Sequence, residues 1–226
     1  PAVYVCDLTG MDDDVRVDLV FERQKFDLSV GVDAASASVG VATVESTAAN
    51  ASASGIPSVE YGSGVTFRAS LREGVSASDY RFEGWYADGV RIGTEAVLSH
   101  TVTEAVSVVA KFAARIRLGL VFSDNRSDTT DPIAESAALA VNGETAFGGA
   151  YDGFTVLGGS LAWSVTPGSM GAAFSVWSFN AWYATDDTAF AAPLEYGRSG
   201  SLDVSESVNM VARLTAVKIS STLVVK

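Results

Sequence analysis

One histidine, His100, and one cysteine, Cys6, are all that this 226-residue chain offers of the two residue types most used for nucleophilic and metal chemistry. A Ser-His-Asp triad or a Cys-His pair would have to be built around these single residues, and neither stands in a context that suits one. A zinc site of several nitrogen and sulfur ligands cannot be assembled at all. His100 reads as a strand surface residue and Cys6 as a small apolar side chain without an intrachain disulfide partner. Among 27 acidic residues, none is marked as half of the facing carboxylate pair a glycosidase needs. Asp12-Asp13-Asp14 and Asp186-Asp187 lack the Asp-x-Asp-x-Asp-Gly spacing that wraps a loop around calcium, and they read as solvated turns. Gly62-Ser63-Gly64 and Gly158-Gly159 are turns rather than phosphate loops, because no helix carrying a lysine follows them. An isopeptide bond from Lys111 to an Asn or Asp is conceivable, but a lysine in a closing strand needs no such explanation. The expectation is a non-enzymatic chain without catalytic residues, metal or cofactor. Trp163 and Trp177 are the residues left for binding, as an exposed aromatic platform for a glycan or a host protein.

The elements that must position these residues are strands. Apolar and polar residues alternate through Phe26–Val32, Val65–Ala69, Ile116–Leu120 and Val204–Val211, whereas helical spacing over ten or more residues is hard to find. The fold class is therefore mainly β, with no large helical domain. Residues 34–58, rich in Ala and Ser, allow either a short helix or a loose excursion across a sheet face. Ser123–Ala138 is a second irregular segment at the corresponding place further on.

With 48% apolar and 19% charged residues the chain is a folded one. A net charge of −12 with scattered basic residues argues against nucleic acid or an anionic membrane surface as partner. No apolar run approaches the ~20 residues of a membrane helix. The chain opens at Pro1 without an initiator Met or signal segment, which reads as a piece of something longer.

Sequence repeats organise the rest. Tyr61–Phe67 matches Leu157–Trp163 at an offset of 96, Phe82–Ala87 matches Phe179–Ala184 at 97, and Val108–Phe112 matches Met210–Leu214 at 102. Both copies contain a Trp-Tyr pair, Trp85-Tyr86 and Trp182-Tyr183. Phe26, Leu28, Val30 and Val32 pair by alternation with Ile116, Leu118, Leu120 and Phe122. The expected organisation is the end of a preceding module over 1–23, modules over 24–114 and 115–216, and the possible first strand of a following one over 217–226. Val15–Phe21 carries the closing-strand pattern of the first of these pieces. Val217–Ile219 and Leu223–Val225 carry the opening pattern of the last.

A ~90-residue module needs large side chains for its core, and a buried aromatic removes ~150–250 Å² from water, worth at most ~4–6 kcal/mol. Plain alternation puts Phe82, Gly84 and Tyr86 on one face and Glu83 with Trp85 on the other. Either both faces are covered or a bulge at Gly84 re-aims the strand. Asp88-Gly89 signals a hairpin, which with the closing strand predicts a local meander; Asp186-Asp187-Thr188 is the weaker equivalent.

Tyr80–Tyr86, then Asp88-Gly89, then Ala110-Lys111-Phe112, together with Tyr61–Thr66 upstream, resemble the divergent internalin B-repeat family of bacterial surface proteins. The second copy departs from the pattern at Ala181 and at Arg213-Leu214. The resemblance implies β-grasp-like or sandwich-like modules in series, acting as a stalk, spacer or adhesin segment at the bacterial cell surface or outside the cell. It implies neighbouring modules of the same longer protein as partners, with a host protein or glycan as the alternative, and it brings no catalytic residues.

Overall fold

The computed structural model describes residues 22–46, 49–53, 55–124, 137–146, 149–168, 175–195 and 197–218. Cys6, Asp12–Asp14, the Val15–Phe21 pattern, most of the irregular segment at 125–136 and the apolar residues after Lys218 lie outside them. The described chain is mainly strand. Its helical element is one 3-10 turn, Ala34–Ser36 (η1).

The first half contains β1 (Lys25–Val32), β2 (Gly40–Ser46), β3 (Ala49–Ala53), β4 (Gly55–Glu60), β5 (Gly64–Leu71), β6 (Tyr80–Ala87), β7 (Val90–Gly93) and β8 (Val97–Thr101). A single long strand, β9 (Val106–Asp124), follows. The second half continues with β10 (Ala137–Val141), β11 (Glu144–Ala146), β12 (Ala150–Val156), β13 (Ser160–Pro167), β14 (Ser175–Ala184), β15 (Pro193–Glu195), β16 (Ser199–Asp203) and β17 (Val208–Lys218). Residues 34–58 are thus mostly strand, with Asp33 capping η1 by accepting from the Ala35 amide at 3.2 Å. The short turn is held to the sheet because Ser36 Oγ accepts from the Phe112 amide at 3.1 Å.

Nine strands form one main sheet, and two four-stranded sheets, β3-β2-β5-β8 and β11-β10-β13-β16, pack against it. Sheet faces sheet through aromatic rings: Phe67 of β5 lies 5.8 Å from Trp85 of β6, and Trp163 of β13 lies 6.1 Å from Trp182 of β14. The architecture is sandwich-like, because the space over the main sheet is filled by a second sheet rather than by a helix.

The ladders repeat. β1 runs antiparallel to β4 and parallel to the first part of β9, from Leu28–Val106 to Val32–Ala110. The second part of β9 runs antiparallel to β12 and parallel to β17, from Ile116–Val208 to Asp124–Ala216. These pairings align Leu28 with Ile116, two residues away from the alignment that alternation suggests. The same side chains face inward in both registers, since the side-chain period of a strand is two.

One further expectation is corrected. The last third of a module is not a simple meander: β7 closes a hairpin on β6, β8 crosses to the edge of the second sheet beside β5, and β9 returns to pair with β6. Val217 and Lys218 continue β17, which runs unbroken from Val208 and pairs with β14 as far as Lys218–Ser175, and the rest of 217–226 lies outside the described residues. The line between 114 and 115 likewise falls inside β9, where no turn residue interrupts the alternation.

Candidate functional site

Each Trp-Tyr pair is placed by a bulge. In β6 the pairing with β9 shifts between Phe82–Phe112 and Gly84–Lys111, leaving Glu83 as the extra residue. In β14 the pairing with β17 shifts between Phe179–Leu214 and Ala181–Arg213, leaving Asn180. One extra residue turns an odd spacing into an even one, so Phe82 and Trp85 meet on the core face at 5.4 Å and Phe179 and Trp182 at 6.4 Å. Of the two arrangements compatible with the sequence, the bulge is the one present. At position 84 a Cβ would stand 2.8 Å from the Gly93 carbonyl oxygen, so the bulge brings β7 in close.

Both indole rings are fully buried, and each donates its N–H to a carbonyl ahead of the following strand: Trp85 to Glu95 at 3.0 Å, Trp182 to Gly197 at 3.1 Å. A buried indole with its one donor satisfied is a core residue with no polar handle left for a ligand.

Trp163 and Trp177 do not form the exposed platform expected of them. Trp163 is 6% exposed, between Trp182 and the backbone of β16, where a Cβ on Gly200 would lie 2.6 Å from its ring. Trp177 is 4% exposed and meets Phe122 edge-on at 4.9 Å. The more exposed large apolar residues are Tyr61, Val90, Ile92, Val97, Val176, Leu194 and Val217. Ile92 and Leu194 occupy matching bulge positions on β7 and β15, where the partner strand skips a residue.

Polar groups gather where the halves meet. The Arg115 guanidinium grips Asp152 with two bonds of 2.7 and 2.6 Å and reaches the Ser78 carbonyl at 3.2 Å. This bidentate bond raises the guanidinium above its ordinary value and holds the Asp152 carboxyl below the usual carboxylate range. Arg117 pairs with Asp79 at 3.3 Å, Arg81 stacks over Phe154 at 4.2 Å, and the Ser207 amide donates to the Tyr80 hydroxyl at 3.4 Å. Backbone bonds add to these: the Arg115 amide donates to Asp79 O at 2.7 Å and the Leu157 amide to Phe112 O at 2.9 Å. The junction was missed from sequence, although the run Arg115, Arg117 on alternate residues is a visible signal of charge on one strand face.

The remaining candidates have local roles. Asp187 accepts from the Ala191 and Ala192 amides at 3.2 and 2.8 Å, and these bonds lower its carboxyl below the ordinary range. Its oxygens are used to close the longer connection of the second half. Lys111 stands 3.9 Å from Asp33 and 4.9 Å from the centre of the Tyr86 ring, a third exposed, as an ordinary ion pair with an aromatic neighbour. His100 sits opposite Val65 in the ladder, 6.0 Å from Phe67. Asp88 and Gly89 take φ of 49° and 79°, the two positive values of the expected tight hairpin turn. Asn142-Gly143, at 49° and 83°, is a second such turn, and its sequence carries the same signal. Among the described residues no group of three or more His, Cys, Asp or Glu is placed to hold a metal.

No family model and no curated protein matches the chain. The B-repeat resemblance therefore rests on the Trp-Tyr motif and its flanking strands alone. Among solved structures the chain is similar to the major pilin from Streptococcus pyogenes, at 7% identity over 89% of this chain and 100% of that one, with a TM-score of 0.27. It is also similar to a minor pilin of Streptococcus agalactiae, at 8% identity over 89% and 99%, with a TM-score of 0.29. A C-terminal fragment of a pilus adhesin from Lactobacillus rhamnosus GG gives 9% identity over 91% and 100%, with a TM-score of 0.26. At these scores the likeness carries no residue, ligand or assembly over to this chain.

Proposed function

We propose that this chain is a non-catalytic spacer or adhesin segment of a bacterial cell-surface or secreted protein, built from B-repeat-like modules in series. The observation that supports it best is β9, whose one unbroken strand ends the first ladder set and begins the second. A shared strand has no hinge, so neighbouring modules keep a fixed relative orientation, as a spacer requires and a ligand pocket does not. The ion pairs of Arg115 with Asp152 and Arg117 with Asp79 lie at the same place and brace it. Binding through exposed aromatics draws no support from Trp163 or Trp177, which are covered.

Two measurements test this. Spin labels at the exposed positions Glu73 and Asp203 should give one narrow distance distribution that survives 0.5 M salt; a broad distribution would remove the rigid spacer. An antibody raised against the chain should label intact source cells, and labelling only after lysis would remove the surface location.

A further inference from the structure

We propose that the chain is a load-bearing element in which three strands, β1, β9 and β17, carry tension and the rest of each half is shielded from it. The biological use of this property rests on the spacer reading; the property itself follows from the ladders. Tension applied along the chain enters at the start of β1 and leaves at the end of β17. β1 lies parallel to β9 from Leu28–Val106 to Val32–Ala110, and β9 lies parallel to β17 from Ile116–Val208 to Asp124–Ala216. In each parallel pair one strand is therefore pulled from its N-terminal end and its partner from its C-terminal end, at opposite ends of the ladder.

That is shear. The hydrogen bonds of a parallel ladder are evenly spaced, so strands sliding past one another stretch all of them over the same short distance before any is released. Two strands pulled apart from the same end give up their bonds singly, over a long path, and the same total work is then done at a much lower force. Forced unfolding follows the rate of crossing this barrier rather than the equilibrium stability, so ladder geometry sets the strength.

The sequence between the load-bearing strands is out of the path. Force passes sideways from β1 into β9, along β9, and sideways again into β17, so the described residues between these strands feel none of it while the ladders hold. Buried side chains brace both ladders: Leu28, Val30, Val108 and Ala110 at the first, Ile116, Leu118, Met210 and Ala212 at the second. The antiparallel partners β6 and β14 lie against β9 and β17 and hold them in place. The first ladder is the shorter of the two, so it yields first.

Single-molecule force spectroscopy on the whole chain, in a Cys6→Ala background, separates the geometries. One molecule is held at its two ends. The other is held at its N-terminal end and at Glu104→Cys, an exposed residue just before β9, which places both handles at the same end of the β1–β9 ladder. The end-to-end molecule should rupture at a force at least threefold higher. Its first step should release roughly 26–28 nm, the chain between residues 28 and 106, and its second roughly 30–33 nm, the chain between 116 and 208. Equal rupture forces in the two geometries would overturn the proposal, and Thr103→Cys, also exposed, repeats the comparison should Glu104→Cys disturb folding. Equal forces with normal surface labelling would leave the spacer reading standing without the load-bearing one; a force difference without surface labelling would do the reverse.

Discussion

Around its tryptophan the first half sets Phe67 opposite Leu98, whereas the second sets Trp163 opposite Gly200 at the corresponding rungs of β5–β8 and β13–β16. A second exchange lies on the other side of the core. The Phe112 ring covers Gly40 in the first half, and at the corresponding positions the second half has Leu214 and Ala137. Each larger residue is matched by a smaller one across from it, so the core volume is kept while its pieces are redistributed. Close packing demands this, because a core at crystal-like density accepts neither an extra methylene nor a missing one without cost. The Trp85 and Trp182 positions, with their bulges and indole N–H bonds, are the parts left unchanged. What the two halves share is therefore a bulged Trp strand between two sheets, and what they vary is the filling around it.

The largest effect that tests this comparison is removal of an invariant ring. Trp85→Ala should cost about 3–5 kcal/mol in the first half, as truncation of a fully buried aromatic does. The three remaining tryptophans, Trp163, Trp177 and Trp182, then report the second half alone, and their fluorescence transition in urea should move far less than the circular dichroism signal. An equal shift of both signals would show one cooperative unit rather than two halves sharing a strand. Trp182→Ala should reverse the pattern.

Exchanged residues provide the next test. Gly200→Leu alone should lose about 3 kcal/mol, since even a Cβ there would stand 2.6 Å from the Trp163 ring. Trp163→Phe alone leaves a gap, although it also removes an indole N–H that is buried without a partner. The pair together recreates the Phe67–Leu98 arrangement and should recover most of the loss, with a coupling of about 2 kcal/mol in a double-mutant cycle. Additivity to within about 0.5 kcal/mol would mean that the two cores are not interchangeable solutions of one packing problem.

How far the sequence reveals this architecture depends on whether a feature is carried by residue type or by partner. The Trp-Tyr pairs, the Asp88-Gly89 turn and the strand class are legible because aromatic bulk, positive φ and period-two alternation are properties of the residues themselves. The β1 alignment slips by two because alternation is unchanged by a shift of two, and only the pairing of Leu28 with Val106 and of Ile116 with Val208 settles it. The bulge stays undecided for the same reason: the extra residue is defined by the strand opposite. Trp163 and Trp177 read as a platform because nothing in their own neighbourhoods names Gly200 or Phe122, which cover them from far along the chain. β8 crosses to the second sheet at a segment whose composition suits either.

The smallest predicted effect concerns the connection in which the halves differ most. The first half turns within Asp88-Gly89, on two positive φ values, while the second uses 185–192, closed by the Asp187 carboxylate and by Phe190, whose ring meets Tyr183 in a T-shaped contact at 5.2 Å and lies under the Arg213 guanidinium at 4.8 Å. Amide bonds from Ala192 and Ala191 hold the folded Asp187 carboxyl below its ordinary value of 3.8. A carboxyl lowered by folding stabilises the loop at every pH above that ordinary value, and the contribution disappears as pH falls through the lower, folded one. The Ala191 and Ala192 amide resonances should therefore titrate together, with a midpoint below 3.8, and should be flat in Asp187→Asn, which keeps one acceptor oxygen and has no proton to gain. A midpoint at or above 3.8 would mean that the carboxylate does not hold these amides, and the longer connection would then owe its shape to Phe190 instead.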